Sequence, residues 1–373
     1  MIRPALWSAG LLLLALSCNE NKERSASAGE KSVEQDTQPA LEPELAEAVA
    51  AASASAAAGP APGTPGQEGP PPRGIFPPGG ADAQIRVEAP PAITVGSTGS
   101  EPRSLFTGGF GTKANPVTAH VEVMLQSGQG GLPVDFELQF EESPLPASAA
   151  AQDGEAGEES EPTPRPRAAV RGRVVSAKVP QGLAQVPAPV KDAVAKLRGV
   201  EVTFDLWPNG AATGLRTEMK AGAPAELGDV VRALGDAIAA VTLPYPDEPL
   251  GVGGYWMVTS RDGLMGLDLV SYRLARVESI VDGAATLRVS TKRYAASDDF
   301  SLPSLDGSYL LEELQSGGEG ALRYRSGRSL PFRGRFQLSL SALVSPRTAG
   351  AGAAPGPQRG TLQLVSEARF SEP

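Results

Sequence analysis

Cys18 is the only cysteine among 373 residues, and it directly follows the run LLLLALS. A thiol becomes a nucleophile as its thiolate, so a cysteine at such a junction is a candidate for covalent modification. Other chemistry is poorly supplied. His120 is the only histidine, and no serine sits in a G-x-S-x-G elbow to complete a triad. One histidine and one cysteine make a poor zinc set. Asp298 and Asp299, in RYAASDDFSLPS, are paired carboxylates of the kind that perform general acid-base work, but glycosidase carboxylates flank the scissile bond across a cleft. The acidic run from Asp153 to Glu161 lacks the D-x-D-x-D-G order of a calcium loop. Gly251-Val252-Gly253-Gly254 lacks the following Lys-Ser/Thr of a phosphate loop. Arg165, Arg167, Arg171 and Arg173 form a small basic patch that could meet lipid headgroups or lipopolysaccharide, although a solvated basic stretch is the preferred reading. A net charge of −10 argues against nucleic acid. No cofactor is implied, and no catalytic or metal-ligating residue is assigned.

The segment before Cys18 decides how that thiol is used. Arg3 supplies a positive charge, and Ala5 to Leu16 is almost wholly apolar. That run is too short to cross a bilayer core, which takes about 20 residues. From Asn19 the chain turns abruptly polar, so residues 1–17 read as a secretory signal. No later stretch is long and apolar enough for a transmembrane helix, and the mature chain is expected to leave the cytoplasm. Ala15-Leu16-Ser17-Cys18 resembles the lipobox of bacterial lipoproteins. The resemblance implies cleavage before Cys18, a diacylglyceryl group on its sulfur and an acylated (palmitate-type) amino terminus. Two or more chains anchor stably where one binds only marginally. The family prefers leucine followed by two small residues, whereas here Ala15 precedes Leu16. Asn19 is not the aspartate that retains such proteins at the inner membrane, so the resemblance favours the outer membrane and leaves its face open. Ala15-x-Ser17 also satisfies the small-x-small rule of an ordinary secretory site. Cys18 would then be a free terminal cysteine on a secreted soluble protein.

Residues 18–80 read as the lipidated cysteine and a tether rich in Ala, Pro, Gly and Ser. Such a composition buries too little apolar surface to offset its ordering entropy. Leu41 to Ala58 is the exception, with the alanine and glutamate of a transient helix. A flexible tether of this length reaches roughly 40 Å, enough to hold a domain clear of lipid headgroups.

Residues 81–373 read as a β-rich globular domain. Val117, Ala119, Val121, Val123 and Leu125 alternate with polar residues, as do Val134, Phe136, Leu138 and Phe140, so these runs pair as a hairpin. Val200, Val202, Phe204 and Leu206 open a second hairpin that turns at Pro208-Asn209-Gly210. Leu227, Val230, Val231, Leu234, Ile238 and Val241 recur at helical spacing, with Arg232 and Asp236 one turn apart on the other face. From YWMVTS onward strands and turns alternate: LDLVSYRLARVESIV, ATLRVSTKRYA, SYLLEELQS, ALRYRSG, FRGRFQLSLSALV and TLQLVSEARF. The expectation is α+β: a mostly antiparallel meander of about ten strands, forming a curved sheet or half-barrel on one main helix. Inserts at 143–167 and 347–360 read as disordered surface excursions.

LPYPDEPLGVGGYWMV, from Leu243 to Val258, resembles the segment P-x-x-P-V-x-V-G-x-x-W shared by a family of bacterial lipoproteins of unknown function. Pro246, Pro249, Val252, Gly253 and Trp256 match, and Leu250 takes the place of a valine. The resemblance implies a helix before the motif and a meander after it, and it assigns no activity. The expected function is a non-enzymatic envelope lipoprotein, held to the membrane through Cys18, whose β-rich domain binds an unknown envelope protein or apolar ligand. The alternative is a carrier of lipid or another apolar ligand, which needs a cavity between sheet and helix lined by Leu234, Ile238 and Trp256. A carboxylate-based hydrolase stands third.

Overall fold

The computed structural model describes residues 70–87, 89–127, 130–145, 165–181, 186–224, 227–264, 267–300, 309–347 and 359–372. The signal segment, Cys18, the tether as far as residue 69 and most of both inserts lie outside these residues.

Alternating side chains form the strands β1 (Ala92–Ser97), β2 (Gly111–Thr112), β3 (Asn115–Ser127), β4 (Gly130–Pro144), β5 (Ala168–Lys178), β6 (Glu201–Leu206) and β7 (Ala212–Glu218). They continue as β8 (Tyr255–Leu264), β9 (Leu267–Val281), β10 (Ala284–Ala295), β11 (Asp299–Phe300), β12 (Tyr309–Arg325), β13 (Arg333–Pro346) and β14 (Gly360–Ser371). Helices are few: α1 (Gly80–Gln84), α2 (Ala188–Ala195) and α3 (Gly228–Val241), with a short 3₁₀ turn at Pro72–Gly74. The fold is therefore mostly antiparallel β. Twelve strands hydrogen-bond in the order β1-β8-β9-β10-β12-β13-β14-β3-β4-β5-β6-β7, with β11 on β12 and β2 on β3. The sheet stays open, with β1 and β7 at its edges.

The strands outnumber the expected ten for identifiable reasons. The basic stretch at Arg171 and Arg173 belongs to β5, whose other face buries Ala168, Val170 and Val174. Ser143 and Pro144 pair with Ala169 and Ala168, so the first insert begins later than its composition implies. In the opposite direction, SYLLEELQS and ALRYRSG form one strand, β12, which continues through the glycines of SGGEG. A Cβ on Gly318 or Gly320 would lie 2.5 or 2.3 Å from a carbonyl oxygen of β13. These glycines permit a close approach of two strands rather than ending one.

The folded part also starts earlier than residue 81. Ile75 bridges to Ala295, and the Phe76 amide donates to the Ala295 carbonyl at 2.9 Å. Ala81 and Ile85 then pack against Met257, Val270, Tyr272 and Leu274 on the outer face of β8 and β9. The Arg261 guanidinium fastens this cover, with Nε and Nη2 each donating at 2.6 Å to Asp268 and Nη1 at 2.9 Å to Asp82. Consequently β9 is buried on both faces from Leu269 to Ala275.

The stripe expected of α3 is buried, and so are Ala233, Ala237 and Ala240. The helix packs against β3, β7, β13 and β14 and is nearly enclosed. After it, Gly253 adopts a φ of 81° at a tight bend and Trp256 enters the core, while Val252 stays 44% exposed.

Candidate functional site

The inner face of the sheet carries two apolar clusters. The larger surrounds α3 and includes Val121, Phe136, Val258, Ala275, Val277 and Leu287. The smaller gathers Leu267, Leu269, Ala295, Leu311, Leu314 and Val344. Between them runs a buried polar seam. Register places Ser260 of β8 opposite Ser271 of β9, Ser271 opposite Arg293 of β10, and Arg293 opposite Ser316 of β12. One step along the strands Arg273 lies opposite Thr291, so two rows of polar side chains cross the interior. Burying such groups is costly unless each finds a partner.

Arg273 finds partners at the end of the helix. Its Nη1 donates to the Ala239 carbonyl at 2.7 Å and the Thr242 carbonyl at 3.2 Å. Its Nη2 donates to Ser260 Oγ at 3.4 Å, and Ser260 in turn donates to Asp262 at 3.0 Å. Tyr324 donates to the Val241 carbonyl at 2.8 Å, and Trp256 Nε1 donates to the Pro244 carbonyl at 2.9 Å. A helix leaves its last carbonyls unsatisfied and carries partial negative charge there, so a cation and two donors are well matched to this end. Burial lowers the pKa of Arg273 and pushes the Tyr324 hydroxyl well above its ordinary value.

Arg293 differs. Only 4% of it is exposed, its Nε has no hydrogen-bond partner, and it makes no ion pair among the described residues. It lines a narrow cleft between α3 and the sheet, with Asp236 and Arg232 on the helix side and Leu338, Leu340 and Leu364 on the sheet side. The cleft measures about 20 Å³, room for a single water. Arg232 pairs with Asp229 of the same helix rather than with Asp236. Desolvation pushes the half-buried Asp236 carboxyl up to about 7. Asp262 acts in the same direction, while Arg293 and Arg232 oppose it. Ser271 Oγ, Thr291 Oγ1 and Arg273 Nε also lack partners, so the unmatched polar atoms concentrate in this seam. The arrangement can hold a small anion and exchange a proton near neutrality.

Leu234, Ile238 and Trp256 do not line this cleft. All three are fully buried in the large apolar cluster, in contact with a filled core. His120 lies on the outer face, in a groove of about 380 Å³ with Glu122, Asp135, Glu137, Lys178 and Arg369. Charges there are interleaved: Arg369 lies 3.4 Å from Glu122, and Asp135 is opposite Lys178. Arg347 forms ion pairs with both Asp298 and Asp299, at the surface. Of the basic patch, Arg167 pairs with Glu142 and Arg171 with Glu201. Cys18 lies outside the described residues. Among the described residues no group of three or more His, Cys, Asp or Glu is placed to hold a metal ion, and no helix is long and apolar enough to cross a membrane.

The chain matches no family model, no curated protein and no solved structure. The lipoprotein resemblance therefore stands on Cys18 with its preceding segment and on the motif from Pro246 to Trp256. Sequence reasoning missed Arg293 and Asp236. A signal was present: in β9, Leu267 and Leu269 are followed on the same face by Ser271 and Arg273, while Val270, Tyr272 and Leu274 run apolar on the other. A strand whose apolar phase breaks midway marks a polar interior.

Proposed function

We propose that the chain is a non-enzymatic cell-envelope lipoprotein, anchored in the outer membrane through acylated Cys18, with a tethered β-rich binding domain. The observation that carries this reading is the placement of the lone cysteine after an apolar run and the small Ser17. The domain is read as an α+β curved sheet or half-barrel packed on one main helix. The sheet wraps α3 on several sides, and the fastened C-terminal end of that helix supports the reading. Its ligand or partner is an envelope component. Of the alternatives, a carrier for a whole lipid is disfavoured by the complete burial of Leu234, Ile238 and Trp256. A hydrolase built on Asp298 and Asp299 is disfavoured by their ion pairs with Arg347.

Intact mass of the membrane-extracted protein, compared with a Cys18→Ala variant, tests the anchor. The expected result is a chain cleaved before Cys18 and carrying three acyl chains, with the variant released or unprocessed. A chain cleaved at that bond without lipid would identify a secreted soluble protein and overturn the proposal.

A further inference from the structure

We infer that the cleft between α3 and the inner face of β10, β12, β13 and β14 is a receptor for a carboxylate group, held by the Arg293 guanidinium with the Asp236 carboxyl as its second contact. The inference does not depend on the anchor at Cys18. It starts from a buried cation with no counter-charge in hydrogen-bonding reach. Arg293 is 4% exposed, and its Nε has no acceptor. A guanidinium is rarely buried unless paired, and its planar fork matches the two oxygens of a carboxylate. The neighbouring Arg273 shows what pairing looks like in the same interior, with both terminal nitrogens on acceptors.

Size and walls narrow the ligand. A cleft this narrow favours the flat, two-oxygen head of a carboxylate over a tetrahedral phosphate and leaves any attached chain outside it. Leu338, Leu340 and Leu364 supply an apolar side against which the carbon next to the carboxylate can rest. The second contact depends on protonation. Neutral Asp236 donates its O–H to the bound carboxylate, whereas ionised Asp236 repels it and competes for Arg293. The charged groups acting on Asp236 are Arg293 from β10, Asp262 from β8 and Arg232 from its own helix. Asp229 also lines the cleft but is engaged by Arg232. With the Asp236 carboxyl titrating at about 7, affinity should fall as pH rises through neutrality.

The test is calorimetric titration of sodium butyrate into the purified full chain at about pH 6 and about pH 8, with inorganic phosphate as the control anion. Saturable butyrate binding is expected at the lower pH and about tenfold weaker binding at the higher. Asp236→Asn should bind with little pH dependence. Arg293→Gln should lose binding while keeping the wild-type melting curve, and Arg293→Lys should weaken it about tenfold by keeping the charge without the fork. Absence of saturable binding by folded wild-type protein would overturn the inference. So would a glutamine variant that binds normally or, should that variant fail to fold, a lysine variant of unchanged affinity. Phosphate competing as tightly as butyrate would overturn the assignment to carboxylates.

Discussion

Arg273 and Arg293 point from adjacent strands into the same interior, at 5% and 4% exposure, yet they meet different surroundings. Arg273 closes the C-terminal end of α3, where the carbonyls of Ala239 and Thr242 receive it. Arg293 faces the middle of the helix, where the intrahelical ladder already uses the carbonyls; of the acids lining the cleft, Asp229 is engaged by Arg232 and Asp236 is a carboxyl that burial keeps largely protonated below neutrality. The difference separates structural from functional burial of charge. At a helix end the backbone supplies acceptors, and a buried cation becomes a fastening. Alongside a helix it does not, and the cation stays available to a ligand.

The closed end should give the largest effects. Trp256→Ala removes a fully buried ring and the donor to the Pro244 carbonyl, and it should destabilise by about 3–5 kcal/mol in urea denaturation. A loss below about 1 kcal/mol would mean that this end relaxes easily and is no fastening. Arg273→Met should follow, at about 3 kcal/mol, because it leaves two buried carbonyls without donors. A neutral result there would erase the contrast with Arg293.

Why the fold was more legible than the site follows from the same interior. Val117 to Val123 and Val134 to Phe140 alternate cleanly because one face meets the core and the other water. The stripe of α3 was equally readable. Yet Asp236, four residues from Arg232, looked like half of a solvent-exposed pair, because nothing in a single helix reports that β10 lies beneath it. Arg293 was hidden for the opposite reason. In ATLRVSTKRYA the residues facing inward change from Leu287 and Val289 to Thr291 and Arg293, and such a run reads as a strand end entering solvent. The outer cover of Phe76, Ala81, Ile85 and Ala89 buries the outward-facing Val270, Tyr272 and Leu274 of β9 and Tyr294 of β10. That cover lies far away in the chain, and it begins at Phe76, inside the stretch 18–80 whose prolines and glycines read as tether.

Asp236→Asn should have an intermediate effect that depends on pH. The folded-state pKa of about 7 lies above the ordinary value of 3.8, so the folded protein binds the proton more tightly than the unfolded chain. Stability from this group is full below the unfolded pKa and is lost as pH rises from about 4 to about 7. The asparagine variant should lack that decline. Above neutrality it should be more stable than wild type by about 2 kcal/mol, a figure reduced for the partial exposure of the site. Parallel stability–pH curves for the two proteins would show that Asp236 titrates normally and that the cleft is wetter than its geometry indicates.

Arg293→Met should have the smallest effect on stability, and that makes it the sharpest test of the comparison. Methionine keeps much of the side-chain length, fills the interior flexibly and removes a guanidinium whose Nε has no acceptor. Replacing a buried charge by an apolar group of similar volume is commonly neutral or stabilising, whereas breaking a matched pair is not. The expected change is within about 1 kcal/mol in either direction, set beside the loss at Arg273. Asp236 should then titrate still higher, since the cation that opposes its desolvation is gone. A loss as large as that of Arg273→Met would mean that Arg293 is held by partners inside the seam. The two arginines would then do the same structural work, and the cleft would have no charge to offer a ligand.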